Sequence, residues 1–186
     1  MKTPIYEPLE DSYLIKKYIP KYVKGIVLDM GTGTGILAEE AAKSKKVVKV
    51  YAVDINKEAI TYCYQLANKK IKFLTSDLFS VFRTDKRYKY LKFDTILFNP
   101  PYLPNDKRVK DVALDGGKKG YELICRFINQ AEHYIKPNTK IILLFSSLTG
   151  KETLDKYLVK KRFTFKEISK QHIFFEDLYV YLIEKD

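Results

Sequence analysis

The 186-residue chain has no tryptophan and few of the residues that carry metal or disulfide chemistry: two cysteines and two histidines. Cys63 and Cys125, with only His133 and His172 beside them, indicate no metal cluster. No apolar run is long enough to span a membrane. Met1-Lys2-Thr3-Pro4 carries no signal-peptide pattern, so the expected setting is a reducing cytoplasm. Arginine is also scarce. Only Arg83, Arg87, Arg108, Arg126 and Arg162 occur, and the other basic residues are lysines, the weaker choice for reading bases or gripping phosphate bidentately. No internal repeat or low-complexity linker interrupts the chain, so residues 1–186 are expected to form one domain, long enough for a real core.

What is abundant is positive charge. The formal net charge is +11 and the isoelectric point about 9.4, which favours a polyanionic partner such as RNA or a ribosome-bound factor. Abundant Lys, Glu, Ile and Tyr also match a heat-adapted or compositionally biased proteome, where such charge is background. The run Lys107-Arg108-Val109-Lys110 is the basic cluster nearest the motifs described below. Tyrosine and phenylalanine, at 15 and 11, exceed what a core of this size absorbs, so an exposed apolar strip covered by a partner is expected.

Strand-like and helix-like segments alternate. Strands are expected at 26–30, 47–53, 71–75, 93–98, 139–146, 162–171 and 175–184, and helices at 35–44, 56–68, 117–135 and 150–160. The pattern predicts an α/β fold, a mostly parallel sheet with helices on both faces. The last two strands have no helix between them and should pair as an antiparallel hairpin. The polar segment 103–120 reads as a mobile lid or as an exposed loop.

Two motifs end expected strands, where open α/β sheets bind ligands. The first is Asn99-Pro100-Pro101-Tyr102. An amide or base amine is a poor nucleophile because its lone pair is delocalised. Two acceptors can bind its two N–H groups and aim the lone pair: the Asn99 side-chain oxygen and the Pro100 carbonyl. Pro100 and Pro101 stiffen the turn and remove N–H donors, and Tyr102 offers a flat face to a planar group. The simpler alternative is a proline turn with Tyr102 as packing.

The second motif is Asp29-Met30-Gly31-Thr32-Gly33-Thr34-Gly35, between a strand and a helix. Gly31, Gly33 and Gly35 allow a tight turn and close approach to a ligand, with Thr32 among them. Asp54, followed by Ile55 at the end of the next strand, can bind ribose hydroxyls. A dinucleotide fits the same residues. Asp29 inside the loop favours a sulfonium cofactor, S-adenosylmethionine, because a carboxylate suits a cation and not a pyrophosphate. Asp77 can accept from an adenine amine with Leu78 beside the ring, or it can cap a helix.

These motifs, together with Tyr6-Glu7-Pro8-Leu9-Glu10-Asp11-Ser12 and Gly116-Gly117-Lys118-Lys119-Gly120, resemble the HemK family of protein-glutamine methyltransferases over about residues 5 to 185. The opening motif resembles the short archaeal and eukaryotic branch. Asn-Pro-Pro-Tyr itself is shared with DNA adenine and RNA guanine methyltransferases. The resemblance implies a seven-stranded, Rossmann-like class I fold that binds S-adenosylmethionine, with residues 1–24 capping a core at 25–186. It implies cofactor contacts from Tyr6, Pro8, Glu10, Ser12, Asp29, Gly31, Thr32, Gly33, Gly35, Asp54, Ile55, Asp77, Leu78 and Asn99. Asn99, Pro100, Pro101 and Tyr102 would hold the substrate. That substrate would be the glutamine of the Gly-Gly-Gln tip of a class-1 translation release factor, and a small zinc-binding activator subunit would assist. The competing readings are a nucleic-acid methyltransferase acting on adenine N6 or guanine N2, and a non-catalytic cofactor-binding subunit.

Overall fold

The computed structural model describes residues 5–66, 68–101 and 120–185. Tyr102, the run Lys107 to Lys110 and the glycines Gly116 and Gly117 lie outside the described residues. Seven strands form one sheet: β1 Gly25–Met30, β2 Val47–Asp54, β3 Ile71–Thr75, β4 Phe93–Phe98, β5 Ile135–Ser146, β6 Phe163–Ile173 and β7 Glu176–Lys185, in the spatial order β3-β2-β1-β4-β5-β7-β6. The first five run parallel, and β7 is antiparallel to both β5 and β6. The parallel strands therefore share a carboxyl edge and an amino edge. The order reverses between β1 and β4, where Met30 pairs with Phe98, so the segments leaving these strands start side by side. That switch point is where such sheets open a crevice.

Helices α1 Glu10–Lys16, α2 Ile19–Tyr22, α3 Ile36–Lys43 and α4 Lys57–Cys63 contribute Leu14, Ile19, Ala38 and Cys63 to one core layer. Helices α5 Ser80–Thr84, α6 Glu122–Ala131 and α7 Lys151–Lys160 contribute Phe82, Phe127 and Leu154 to the layer on the other face. In α6 the buried Ile124, Phe127, Ile128 and Ala131 fall at i, i+3, i+4 and i+7, the spacing of one helical face.

The expected strands are present, with shifted ends. Strand β5 starts at Ile135, not at 139, and the helix expected over 117–135 ends at Ala131. The chain turns there so that the Phe93 N–H can donate to the Tyr134 carbonyl (2.8 Å) and Ile135 can pair with Phe93. The helix expected over 56–68 stops at Cys63 and tightens into a 3₁₀ turn, Tyr64–Leu66. The short helices α1, α2 and α5 carry too few residues for a periodic signal.

The core absorbs the phenylalanines almost completely. Of the eleven, only Phe174 and Phe175 are exposed (86% and 97%), at the β6–β7 turn on the carboxyl edge. Among the described residues no helix is long and apolar enough to cross a membrane, and no group of His, Cys, Asp and Glu is set to hold a metal.

Candidate active site

Asp29 is the next-to-last residue of β1 and is fully buried. Its Oδ2 accepts from the Thr32 hydroxyl (2.6 Å) and from the Ala38 N–H at the start of α3 (3.0 Å). Its Oδ1 is buried with no hydrogen-bond partner among the described residues. Burial drives the Asp29 carboxyl up to about 7 against those two hydrogen bonds, and the nearby Asp54 pushes the same way. A buried acceptor without a donor costs about 1–3 kcal/mol, so this oxygen is suited to a cation or a donor arriving from outside.

The glycine loop wraps over this carboxylate. Gly31, Gly33 and Gly35 all take positive φ (67°, 53° and 85°), which side chains rarely adopt. Space alone does not demand glycine at Gly31, where a Cβ would lie an ordinary 3.7 Å from the Phe98 ring; the backbone conformation does. Gly35 is restricted twice, since a Cβ there would sit 2.7 Å from Leu66. The loop's N–H groups are largely spent. Thr32 N–H donates to Val53 O (2.9 Å), Gly33 N–H to Asp54 Oδ2 (2.8 Å) and Gly35 N–H to Thr32 O (2.8 Å). A pyrophosphate needs such donors free, and it would face the buried Asp29. The loop therefore fits a cationic sulfonium ligand better than a dinucleotide.

Asp54 ends β2 beside the loop. Its Oδ1 takes the Asn56 N–H (2.9 Å), and burial raises its pKa in spite of the backbone donors. With the Gly33, Asn56 and Ile55 N–H groups as donors, the carboxylate still keeps acceptor capacity for a hydroxyl. Ile55 follows, 56% exposed, and offers open apolar surface. Leu78 is buried with φ 46°. The Ser76 hydroxyl fixes that turn by donating to the Leu78 carbonyl (2.7 Å) and accepting from Val81 N–H (3.1 Å). Ser76, not Asp77, therefore serves the start of α5. The Asp77 carboxylate is exposed and bidentate with Arg126 of α6 (2.8 and 3.3 Å), a partner absent from the sequence reading.

Asn99 follows β4, with Pro100 buried behind it and Pro101 half-buried. Its Nδ2 donates to Asp11 Oδ2 (3.0 Å) and Ser12 Oγ (3.4 Å) of α1. The Tyr6 hydroxyl also donates to Asp11 Oδ2 (3.0 Å), and Ser12 N–H donates to Asp11 Oδ1 (2.5 Å). Both Asp11 oxygens act as acceptors, so the NH2 end of Asn99 faces Asp11 and the carbonyl end faces away. That carbonyl oxygen, Asn99 Oδ1, is buried with no partner among the described residues. Asp11 therefore decides which end of Asn99 is presented, a role that sequence reading did not assign to it. The N-terminal segment also lies over the glycine loop, with the Tyr6 carbonyl 3.7 Å from a Cβ placed at Gly33. Pro8 is half-buried, whereas Glu10 is exposed on the first turn of α1. Two orphan acceptors, Asp29 Oδ1 and Asn99 Oδ1, thus flank the crevice between β1 and β4.

The family model for the methyltransferase small domain matches residues 10–175. A relative from Methanocaldococcus jannaschii, provisionally named a protein N5-glutamine methyltransferase, is 41% identical over 161 residues, covering 82% of this chain and 78% of that protein. The release factor glutamine methyltransferase of Koribacter versatilis is 33% identical over 144 residues, covering 69% of this chain; the match spans 50% of that longer relative. Among solved structures, the Mtq2–Trm112 complex of E. cuniculi, described as responsible for methylating the eRF1 translation termination factor, contains a chain with TM-score 0.76 and 24% identity. That match covers 98% of this chain and 99% of the other, and at this identity the likeness is one of fold.

Proposed function

The chain belongs to the methyltransferase small domain family and, within it, to the HemK-family protein-glutamine methyltransferases, and from that premise we propose that it methylates the side-chain amide of the glutamine in the Gly-Gly-Gln motif of a translation release factor. The single observation that carries this reading is the orphan Asn99 Oδ1, held acceptor-outward by Asp11 and Ser12.

S-adenosylmethionine, bound along the glycine loop, supplies an electrophilic methyl group. Asp29 would face its positive charge, Asp54 its ribose, and Ile55, Asp77 and Leu78 its adenine. Tyr6, Pro8, Glu10 and Ser12, in the 1–24 segment, would cap it. Asp77 would have to share or release Arg126 to do so. On the acceptor side, Asn99 Oδ1 would take one amide N–H and the Pro100 carbonyl the other, with Pro101 stiffening the turn; Tyr102, outside the described residues, would offer its flat face to the planar group. The lone pair is then aimed out of the amide plane. Positive charge growing on the nitrogen falls next to two preplaced oxygens, with the Asp11 carboxylate behind one of them. Alignment and charge placement supply the acceleration, without a strong base.

An exocyclic base amine would meet the same two acceptors. Glutamine is favoured by the Methanocaldococcus relative, with the Koribacter relative adding support for a release factor. A small activator subunit is supported by the partner in the E. cuniculi complex and by the exposed Phe174 and Phe175; that it binds zinc is part of the proposal. The isolated chain should then self-associate in light scattering and become monodisperse with the partner; full activity as a soluble monomer would contradict this. A cytoplasmic location goes with a release-factor substrate.

The test is methyl transfer from labelled cofactor, with the partner present, to a release factor, to the same factor with its Gly-Gly-Gln glutamine changed to alanine, and to RNA and DNA. Only the unaltered factor should be labelled. Equal labelling of both factors, or preferential labelling of nucleic acid, would overturn the reading.

A further inference from the structure

The positive charge has a position as well as a size. In the spatial order of the sheet, the strands meet the amino edge through Lys70, Lys46, Lys24, Lys92, Lys136, Lys185 and Arg162 on β3, β2, β1, β4, β5, β7 and β6. Five of these precede the first residue of their strand, Lys136 is the second residue of β5, and Lys185 is the last of β7. At about 4.8 Å between strands, the row is roughly 29 Å long. Among the described residues two of the seven are in ion pairs, Lys136 with Asp94 (2.8 Å) and Lys185 with Glu132 (2.8 Å), and Lys24 feels the Asp94 charge without touching it. Among the described residues, Lys24, Lys46, Lys70, Lys92 and Arg162 form no ion pair. Lys70 and Lys92 are instead held by carbonyls, which leaves their charge in place.

At the opposite edge the described residues 31–35, 55–56, 76–79, 99–101, 147–150 and 174–175 include no lysine or arginine, Lys57 and Lys151 follow as the first residues of α4 and α7, and Lys107, Arg108, Lys110, Lys118 and Lys119 lie outside the described residues. Aromatic surface accompanies the row. Tyr90, just before β4, is 84% exposed, with the Lys89 ammonium 5.3 Å from its ring centre. Tyr22, just before β1, is half-buried against the core, with Lys21 and Lys140 over its ring at 5.0 and 5.4 Å. Lysines tracking a backbone beside an exposed stacking ring suit a single-stranded nucleic acid better than an acidic protein, which offers no bases to stack.

We infer that the amino edge is a docking surface for single-stranded RNA, gripped through its phosphates by Lys24, Lys46, Lys70, Lys92 and Arg162 and stacked on Tyr90. Lysine point charges make the grip indifferent to sequence. The six-residue β1 separates this edge from Asn99 and the glycine loop by about 20 Å. RNA held there is a tether, not a methyl acceptor, and the reaction crevice faces away from it.

The test measures anisotropy of a short fluorescein-labelled single-stranded RNA with the full chain over a range of salt. The wild type should bind. The Lys24→Glu/Lys46→Glu/Lys92→Glu variant should lose at least about tenfold in affinity. Its slope of log affinity against log salt should shrink by about 2, near 0.7 for each lost phosphate contact. Tyr90→Ala should weaken single-stranded RNA and spare duplex RNA. The charge-matched Lys17→Glu/Lys57→Glu/Lys156→Glu variant should bind nearly as the wild type does. A Lys24→Gln/Lys46→Gln/Lys92→Gln variant, with unfolding curves for all, separates lost binding from lost fold. Equal losses in the two Glu variants would show that only net charge matters and overturn the inference. No wild-type binding near physiological salt, or tighter binding to phosphatidylserine vesicles than to RNA, would overturn it too.

Discussion

Asp29 and Asp94 sit near opposite ends of the central strands β1 and β4, and they are treated in opposite ways. At the amino edge, Asp94 accepts Ile26 N–H on one oxygen and the Lys136 ammonium on the other, both at 2.8 Å. Burial pushes Asp94 up, but Lys136 and Ile26 outweigh it and hold the carboxyl below its ordinary range. At the carboxyl edge, Asp29 has two donors on one oxygen and none on the other, and burial takes it to about 7. Asn99 repeats the pattern, with its NH2 end satisfied and its oxygen bare. The fold can satisfy both oxygens of an aspartate, as it does at the half-buried Asp94. Where it leaves acceptors bare, beside glycines in left-handed conformations, the arrangement supports the proposal that a ligand completes them.

The contrast breaks most sharply at Asn99. Asn99→Ala should lower turnover on a Gly-Gly-Gln substrate by on the order of a hundredfold or more, as for losing one preplaced electrostatic partner, with cofactor affinity much less changed. Near wild-type turnover would remove the acceptor role. Asp54→Ala should act on binding, weakening S-adenosylmethionine by about 1.5–3 kcal/mol, a tenfold loss or more by calorimetry. Unchanged affinity would remove the ribose assignment.

Asp11 separates positioning from contact. Asp11→Ala should cut turnover by about tenfold, because Asn99 can then present either end. Asp11→Asn should recover most of this, since its carbonyl can still accept the Asn99 NH2. Equal loss in both variants would mean that charge, not orientation, is what Asp11 supplies.

The effect of Asp29 is read through pH, and near neutral pH it is small. The folded protein keeps this proton to about pH 7, whereas an ordinary carboxyl loses it near 3.8. Between those values the folded state binds more protons than the unfolded chain, so this group makes stability fall as pH rises and level off above about 7. A cationic cofactor prefers the carboxylate. Its affinity should therefore climb as pH rises toward about 7, by at most tenfold per pH unit, and flatten above. Asp29→Asn should flatten both profiles in calorimetry and thermal unfolding. A wild-type affinity independent of pH would separate Asp29 from the cofactor.

Much of this was legible in the sequence because backbone rules are local. The glycine loop and the two prolines restrict φ wherever they occur, and alternating apolar segments announce a mostly parallel sheet. Side-chain partners across the fold were not legible. Asp11 meets Asn99 over 88 positions, and Arg126 meets Asp77 over 49. Nothing near Asp11 in the chain says that its helix docks on the end of β4. The lysine row was hidden for the same reason: single basic residues before successive strands look scattered until the sheet order aligns them.

The most direct test sets the two edges against each other. Methyl transfer to a Gly-Gly-Gln peptide and binding of single-stranded RNA should be measured side by side on Asn99→Ala and on Lys24→Glu/Lys46→Glu/Lys92→Glu. A crossed result is expected: Asn99→Ala loses transfer by about a hundredfold and binds RNA as the wild type does, while the lysine variant keeps transfer within about twofold and loses RNA. Loss of both activities in either variant, or transfer surviving in Asn99→Ala, would contradict it.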